Sequence, residues 1–406
     1  MTLSKRTSSD RYISINSKIG RNINRAIVLN SIREKQPISR AKISRITKLN
    51  KSTVSSIVSN LIAEDLVSED LHRNQEVGRN PINLRVKSGR HLVGAIYFES
   101  AKTELALVDL DGTVVSKAEI KTDATSPDQF ARLCLDKLIL LRKEFATHRF
   151  RGIGVTVAGI VDSVRSRVVY APNLGWENIE LGKIIRDYMP DIEMISIEND
   201  ANASALAELL LGKNKIHSTN LVFLSVGTGI GAGILVDNRI LSGSSHAAGE
   251  LGHVMVTEGG EMCSCGKRGC WEVYASDRAT LRRYAKIKKL TRDQLSHLTI
   301  SDVVDLAKKG DDFATKALST TARYLGWGIA SIIRAFDPEV IVIGGLITNS
   351  WDMIYPHIME AVIERRFSFN QRSTPILPTS LTGSPPLLGA AALSIGKIFT
   401  DYRIAL

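Results

Sequence analysis

Apolar residues Val54, Ile57, Val58, Leu61 and Ile62 recur at i, i+3, i+4, i+7 and i+8, the spacing of one buried helix face. Asn50 stands in front of that run as a helix cap. Ser39 does the same for a shorter helix over residues 40–47, with Ile43 and Ile46 facing inward. A first helix over 22–34 stops before Pro37, whose ring cannot continue it. After the third helix, residues 66–70 and 81–86 read as two strands around a polar tip at 72–80. Three helices followed by a hairpin predict a winged helix-turn-helix.

From residue 92 the pattern changes to β-rich runs alternating with helical ones. Strands are expected at 92–98 and 104–109, with Asp111-Gly112 as a hairpin turn. Others are expected at 152–157 and 194–197, the last feeding a helix over 201–211. Residues 221–225 run into Gly227-Thr228-Gly229-Ile230-Gly231-Ala232-Gly233, and 340–343 end in Gly344-Gly345. Strands that lead through glycine turns into helices predict two α/β lobes. The expected organisation is a winged helix-turn-helix over 1–88, a first α/β lobe over 89–200, and a second lobe over 201–406 with a zinc loop and a dimerisation surface.

With 406 residues, 44% of them hydrophobic, the chain can bury a large core. The first ten residues are polar, and no apolar run reaches the roughly 20 residues of a membrane span. Both features predict a cytoplasmic protein with no membrane partner. Charge adds more. Residues 1–90 hold 18 Lys+Arg against 7 Asp+Glu, while the whole chain holds 53 against 42, which leaves 35 of each sign elsewhere. The entire excess of +11 therefore belongs to the N-terminal segment, the electrostatic footprint of a nucleic-acid partner.

The third helix fits that partner. Opposite its apolar stripe, near its start, stand Lys51, Ser52, Thr53, Ser55 and Ser56. Short polar side chains at the N-terminus of the second helix of such a turn suit major-groove reading. Arg40, at the start of the helix before it, joins them as a DNA contact. Arg79, in Gly78-Arg79-Asn80-Pro81, either reaches a minor groove or a phosphate or caps a turn.

Three of the four cysteines lie in one run, Cys263-Ser264-Cys265-Gly266-Lys267-Arg268-Gly269-Cys270, shortly after Gly252-His253. Three thiolates and an imidazole make a Cys3His set, a familiar tetrahedral zinc shell. In a reducing compartment such a cluster favours metal over disulfide. Gly266 and Gly269 let the backbone fold tightly enough for His253, Cys263, Cys265 and Cys270 to converge. No open coordination position is apparent, so the zinc is expected to be structural. Cys134, in an apolar helical run, reads as a small core residue.

Glu198-Asn199-Asp200-Ala201-Asn202-Ala203, the glycine run 227–233, Gly249-Glu250-Leu251-Gly252-His253, the cysteine cluster with Trp271-Glu272, and Val342-Ile343-Gly344-Gly345 occur together and in order. This series resembles the ROK family of repressors, open reading frames and kinases over nearly all of residues 20–400. Pro172-Asn173-Leu174-Gly175-Trp176 and Trp271-Glu272-Val273-Tyr274-Ala275-Ser276 look most like the xylose repressors within it. The resemblance implies the two-lobed actin-like ATPase fold of ROK sugar kinases and a monosaccharide ligand. It also implies that Asn199 and Asp200 contact sugar hydroxyls, Asp200 matching the general base of the kinases, and that Glu250, His253 and Glu272 are further hydroxyl ligands. His253 is then claimed twice, one ring nitrogen for zinc and the other for a sugar oxygen. Asn173 adds a contact and Trp176 an apolar ring face. The chemistry agrees, because sugars need carboxylates and amides fixed in direction.

Family kinases carry a D-x-G-x-T loop after the first strand of this fold. Here the chain reads Ala95-Ile96-Tyr97-Phe98-Glu99-Ser100-Ala101-Lys102, without the aspartate and glycines, and Glu99 repels phosphate. Gly227-Thr228-Gly229 survives as the second phosphate loop. Ala158-Gly159 stands where many relatives have Pro-Gly, a modest change in loop stiffness. Phosphoryl transfer needs positioning and charge neutralisation from both sides, so half a clamp argues against it and no catalytic residue is assigned. The expected protein is a sugar-responsive repressor, a homodimer or homotetramer, released from operator DNA by xylose or a glucose-like inducer. The alternatives are a ROK sugar kinase with a DNA-binding domain and a repressor controlled by a phosphotransferase-system protein.

Overall fold

The computed structural model describes residues 17–70, 82–214, 216, 218–365 and 373–400. They form two compact units: one of residues up to His91 together with the chain from Ile395 onward, the other of Leu92–Ser394.

In the first unit, helices Ser17–Lys35, Arg40–Thr47 and Lys51–Ala63 pack around Leu29, Ile32, Ile43, Val54, Val58 and Leu61, all fully buried. The two short helices start where their caps predict. Ser39 Oγ accepts the N–H of Lys42 at 3.3 Å, and Asn50 Oδ1 accepts that of Thr53 at 2.7 Å. Strands Val67–Asp70 and Asn83–Val86 pair antiparallel. A third strand, Ile38–Ser39, joins the far edge of Asn83–Val86. Two residues after a proline are too few to read as a strand from sequence. Ile46, expected to face inward, is 41% exposed instead. Its helix ends one residue later, and Lys48, at φ 59°, turns the chain away before anything covers that flank. The expected strand start at Pro81 and the tip 72–80 lie outside the described residues. The end of the last helix, Pro385–Thr400, completes this unit: Asn30 Nδ2 donates to Phe399 O at 3.0 Å, and the Arg33 guanidinium lies 4.8 Å over the Phe399 ring.

The second unit holds two five-stranded sheets of matching topology. In the first the order is Ile195–Asn199, Arg149–Val157, His91–Phe98, Lys102–Asp109, Val114–Lys121. In the other it is Ile376–Pro378, Val340–Gly344, Leu221–Val226, Ile230–Val236, Arg239–Ile240. Each is an antiparallel meander extended by two strands that are parallel to each other. The middle strands Leu221–Val226 and Val340–Gly344 are almost wholly buried, as continuous apolar runs demand. In the first lobe Phe98, Phe130 and Trp176 share a core. Trp176 was expected to offer a ring face to a sugar. It is buried, edge-on to Phe98 with ring centroids 5.1 Å apart, and its Nε1–H donates to Ala124 O. An indole whose N–H finds a partner in the core serves packing rather than a ligand.

Arg149–Val157 has no side chain at Gly154, where a Cβ would overlap the carbonyl of Ala390 in helix Pro385–Thr400. Gly154→Ala is expected to destabilise the protein by about 3 kcal/mol, because a backbone oxygen cannot step aside as a side chain can. Gly89→Ala, where a Cβ meets open space, serves as the control in the same urea titration and is expected to change little.

Candidate functional site

The second sheet sets the frame of the cleft. Strand Ile230–Val236 carries Gly231 and Gly233 on one face, and a Cβ at Gly233 would overlap the carbonyl of Ala201. Helix Asp200–Leu211 therefore lies directly on that strand's backbone. Gly249, at φ 96°, and Gly252 let the loop before His253 lie on it as well, against the carbonyls of Ala232 and Ile230. The glycine run 227–233, of which Gly227–Gly229 was expected to cradle phosphate, divides accordingly. Gly227–Gly229 is a turn, closed by Gly227 N–H to Gly229 O at 3.0 Å, while Gly231 and Gly233 make room for packing.

This close approach gathers the acid groups. Asp200 opens its helix at the carboxyl end of strand Ile195–Asn199, where open α/β sheets place their ligands. Asn199 caps the helix: its Oδ1 accepts the N–H groups of Ala201 and Asn202, and its Nδ2 donates to Gly159 O. Burial, reinforced by the charges of Glu250 and Glu99, pushes the Asp200 carboxyl up to about 7, against the N–H of Ala201. Burial likewise raises Glu99, and it raises Glu250 with Glu272 adding to the shift and His253 opposing it. Tyr97 is raised well above its ordinary range by burial and then by the charge of Asp200. A cleft crowded with carboxyls offers hydrogen-bond acceptors and repels anions.

His253 ties the acids to the cysteines. Its Nε2 lies 3.8 Å from Glu250 Oε2, and its Nδ1 lies 3.6 Å from Cys263 Sγ and 3.7 Å from Glu272 Oε1. The nearest ligand atoms of His253, Cys263, Cys265 and Cys270 fall within 4.8 Å of one another. Ligands about 2.0–2.3 Å from a tetrahedral centre lie roughly 3.5–3.8 Å apart. The pairs Cys263 Sγ–His253 Nδ1 and Cys265 Sγ–Cys270 Sγ, both at 3.6 Å, match that edge, and all three thiols are free. The donor set therefore fits a metal ion. Gly266 and Gly269, at φ 80° and 79°, make the turns between the thiols, as expected. Glu272 follows Trp271, whose buried ring lies on Gly328 and whose Nε1–H donates to Tyr324 O at 2.7 Å. Cys134 is buried in helix Pro127–Lys143, among the first lobe's core residues.

Asn199, Asp200, Glu250, His253 and Glu272 thus come together. Asn173 stands exposed on the turn Pro172–Leu174, with no hydrogen bond to the other five among the described residues. Two further titratable groups, Tyr97 near Asp200 and Asp277 beside the Gly227 turn, were not singled out as ligands or contacts. Tyr97, inside a strand, reads as an ordinary β-former. Asp277 follows an N-cap serine and reads as first-turn helix chemistry. Its N–H donates to Gly227 O at 2.8 Å, yet its carboxyl is buried with Oδ1 unpartnered.

In the first unit, Lys51, Ser52, Ser55 and Ser56 are exposed on helix Lys51–Ala63, and Thr53 is half-buried. The Ser52 hydroxyl donates to Asn50 Oδ1. Arg40 is paired with Glu69 at 2.6 Å, so a nucleic-acid contact would have to draw it away. Arg79 lies outside the described residues. No helix among those described is long and apolar enough to cross a membrane.

The ROK family model matches residues 93–397. A xylose repressor of Bacillus spizizenii is 33% identical over 380 residues, covering 92% of this chain and 95% of that protein. A ROK family transcriptional regulator, a homologue of the E. coli MLC protein, superposes with a TM-score of 0.80 at 27% identity, covering 94% of this chain and 97% of that one. A ROK glucokinase from Streptomyces griseus, solved with glucose and AMPPNP, superposes with a TM-score of 0.65 at 26% identity, over 74% of this chain and 98% of its own. The mixed α/β architecture is therefore that of the ROK sugar kinases.

Burial alone pushes the Asp277 carboxyl up to about 7. Its folded value exceeds its unfolded one, so the native state keeps the proton longer and this group's contribution declines as pH rises from about 4 through 7. Asp277→Asn is expected to match wild type near pH 4 and to exceed it by about 4 kcal/mol near pH 8, measured by urea unfolding at both pH values.

Proposed function

This chain belongs to the ROK family, and on that footing we propose that it is a sugar-responsive transcriptional repressor whose inducer is xylose. The observation that carries the reading is the pairing, in one chain, of a carboxyl-lined cleft suited to a neutral polyol with a basic helical unit suited to DNA. The three helices and three-stranded sheet of that unit read as a winged helix-turn-helix. Lys51, Ser52, Thr53, Ser55 and Ser56 would meet the major groove, with Arg40 and Arg79 beside them. A homodimer would offer two such units to the halves of a near-palindromic operator in the cytoplasm.

At the cleft, Asp200, Glu250 and Glu272 accept hydrogen bonds from sugar hydroxyls, and Asn199 and Asn173 supply amides. A neutral sugar satisfies acceptors that would otherwise repel one another, whereas a sugar phosphate adds charge to a site that already has too much. His253, Cys263, Cys265 and Cys270 would hold a zinc ion, which clamps the loop between Glu250 and Glu272. The protein is not a kinase in this reading, since Glu99 places an acid at the turn where family kinases hold phosphate. Sugar moves the equilibrium only by its preference for one arrangement of the lobes.

The test is binding to labelled DNA from upstream of its own gene, with xylose, glucose and N-acetylglucosamine titrated in and a coupled ATPase assay in parallel. Release by xylose in the millimolar range without ATP turnover is expected. DNA binding indifferent to every sugar would overturn the inducer, and sugar-dependent turnover would overturn the repressor. Asp200→Asn should bind the operator normally but need about ten- to hundredfold more xylose for release, read in the same titration. Lys51→Ala should weaken operator binding and lower the slope of log affinity against log salt by about 1 if it neutralises a phosphate.

A further inference from the structure

The loop 241–250 contains a residue that the cleft described above leaves unexplained. His246 lies at φ 60°, in the left-handed region that glycine enters freely and a side chain disfavours. Gly243 and Gly249, at φ 73° and 96°, take the same region in this loop with no Cβ to strain. A side chain kept in such a conformation is held there by what it touches.

What His246 touches belongs to the other lobe. Its Nε2 lies 3.7 Å from Oδ2 of Asp162, at ion-pair range, and Asp162 is only 2% exposed at the end of strand Ile160–Asp162. The same carboxylate accepts the backbone N–H of Arg165 at 3.0 Å and its side chain at 3.2 Å, with Arg167 Nη2 at 3.9 Å. Burial raises the carboxyl of Glu198, next to Asn199 in the chain, with nearby His246 opposing, and Glu198 accepts the N–H of Asn199 and the amide of Asn202. The groups facing His246 are thus Asp162, Arg165, Arg167 and Glu198. Four residues beyond His246 the chain reaches Glu250, and three further on His253.

We infer that His246 is a latch between the lobes: by pairing with Asp162 it docks loop 241–250 onto the first lobe and so fixes Glu250 and His253 opposite Asp200. It is a positioning residue, since it acts on the ligand through the loop it holds. Its effect on sugar affinity rests on reading the cleft as a sugar site, but the latch itself belongs to the ligand-free chain.

Amide hydrogen exchange of the ligand-free, full-length protein reads the latch without any sugar. In peptides covering 241–250, Asp162→Asn should speed exchange several-fold although the loop's own sequence is untouched. His246→Gly should do the same, and the double variant should add little to the faster single one. His246→Lys, which keeps a cation within reach of Asp162, should restore slow exchange. Xylose titration of the same four proteins should rank affinities in the same order. Exchange unchanged by Asp162→Asn, or His246→Lys as fast as His246→Gly, overturns the latch whatever sugar binds. Exchange that responds as expected in a wild-type protein that binds no sugar upholds the latch and removes the sugar reading instead.

Discussion

A helix resting on a bare strand backbone organises this cleft. Where Gly233 faces the carbonyl of Ala201 there is no space for a methyl group, so helix Asp200–Leu211 sits closer to Ile230–Val236 than interdigitated side chains would allow. The loop over Gly249 and Gly252 uses the same strand in the same way. Both elements carry an acid at their exposed end, Asp200 on one and Glu250 on the other. The opposition of the two carboxyls follows from packing before any ligand is considered.

Opposed carboxyls in a partly dry cleft cost free energy, and the cost appears as protons held longer than water would hold them. Asp200 is pushed up to about 7 because burial and two neighbouring carboxyls act in one direction. A polyol relieves this without bringing charge, and a phosphate group aggravates it. The cysteine loop contributes from the other side, since His253 spans from the thiols to Glu250 with its two ring nitrogens. Any movement of the cysteine loop is therefore felt at an acid of the cleft.

Local chemistry was the legible part of this chain. The thiols and His253 stand in a run whose glycines turn where expected, and the helix caps Ser39 and Asn50 act as their residue types suggest. Contacts between distant segments were not legible. Trp176 looks the same in sequence whether its ring lines a cleft or packs on Phe98, and only the fold decides. The glycine run 227–233 carries two meanings, a turn at its start and a packing surface at its end, which spacing cannot separate. Asp277 and His246 resemble an ordinary helix start and an ordinary loop polar residue. Their unusual features, an orphaned carboxyl oxygen and a positive φ, exist only once the backbone is placed.

Helix Pro385–Thr400 has a consequence for synthesis. Phe399 supplies a carbonyl to Asn30 and a ring to Arg33, so an early helix depends on a residue 369 positions after Asn30. While the chain is still on the ribosome, the N-terminal unit lacks that contribution, and the α/β lobes have already emerged. A prematurely terminated chain ending before Ile395 therefore carries an incomplete N-terminal unit however well its lobes fold. That unit cannot be completed until Phe399 has been made, which limits how far a chain stopped earlier can compete with longer ones.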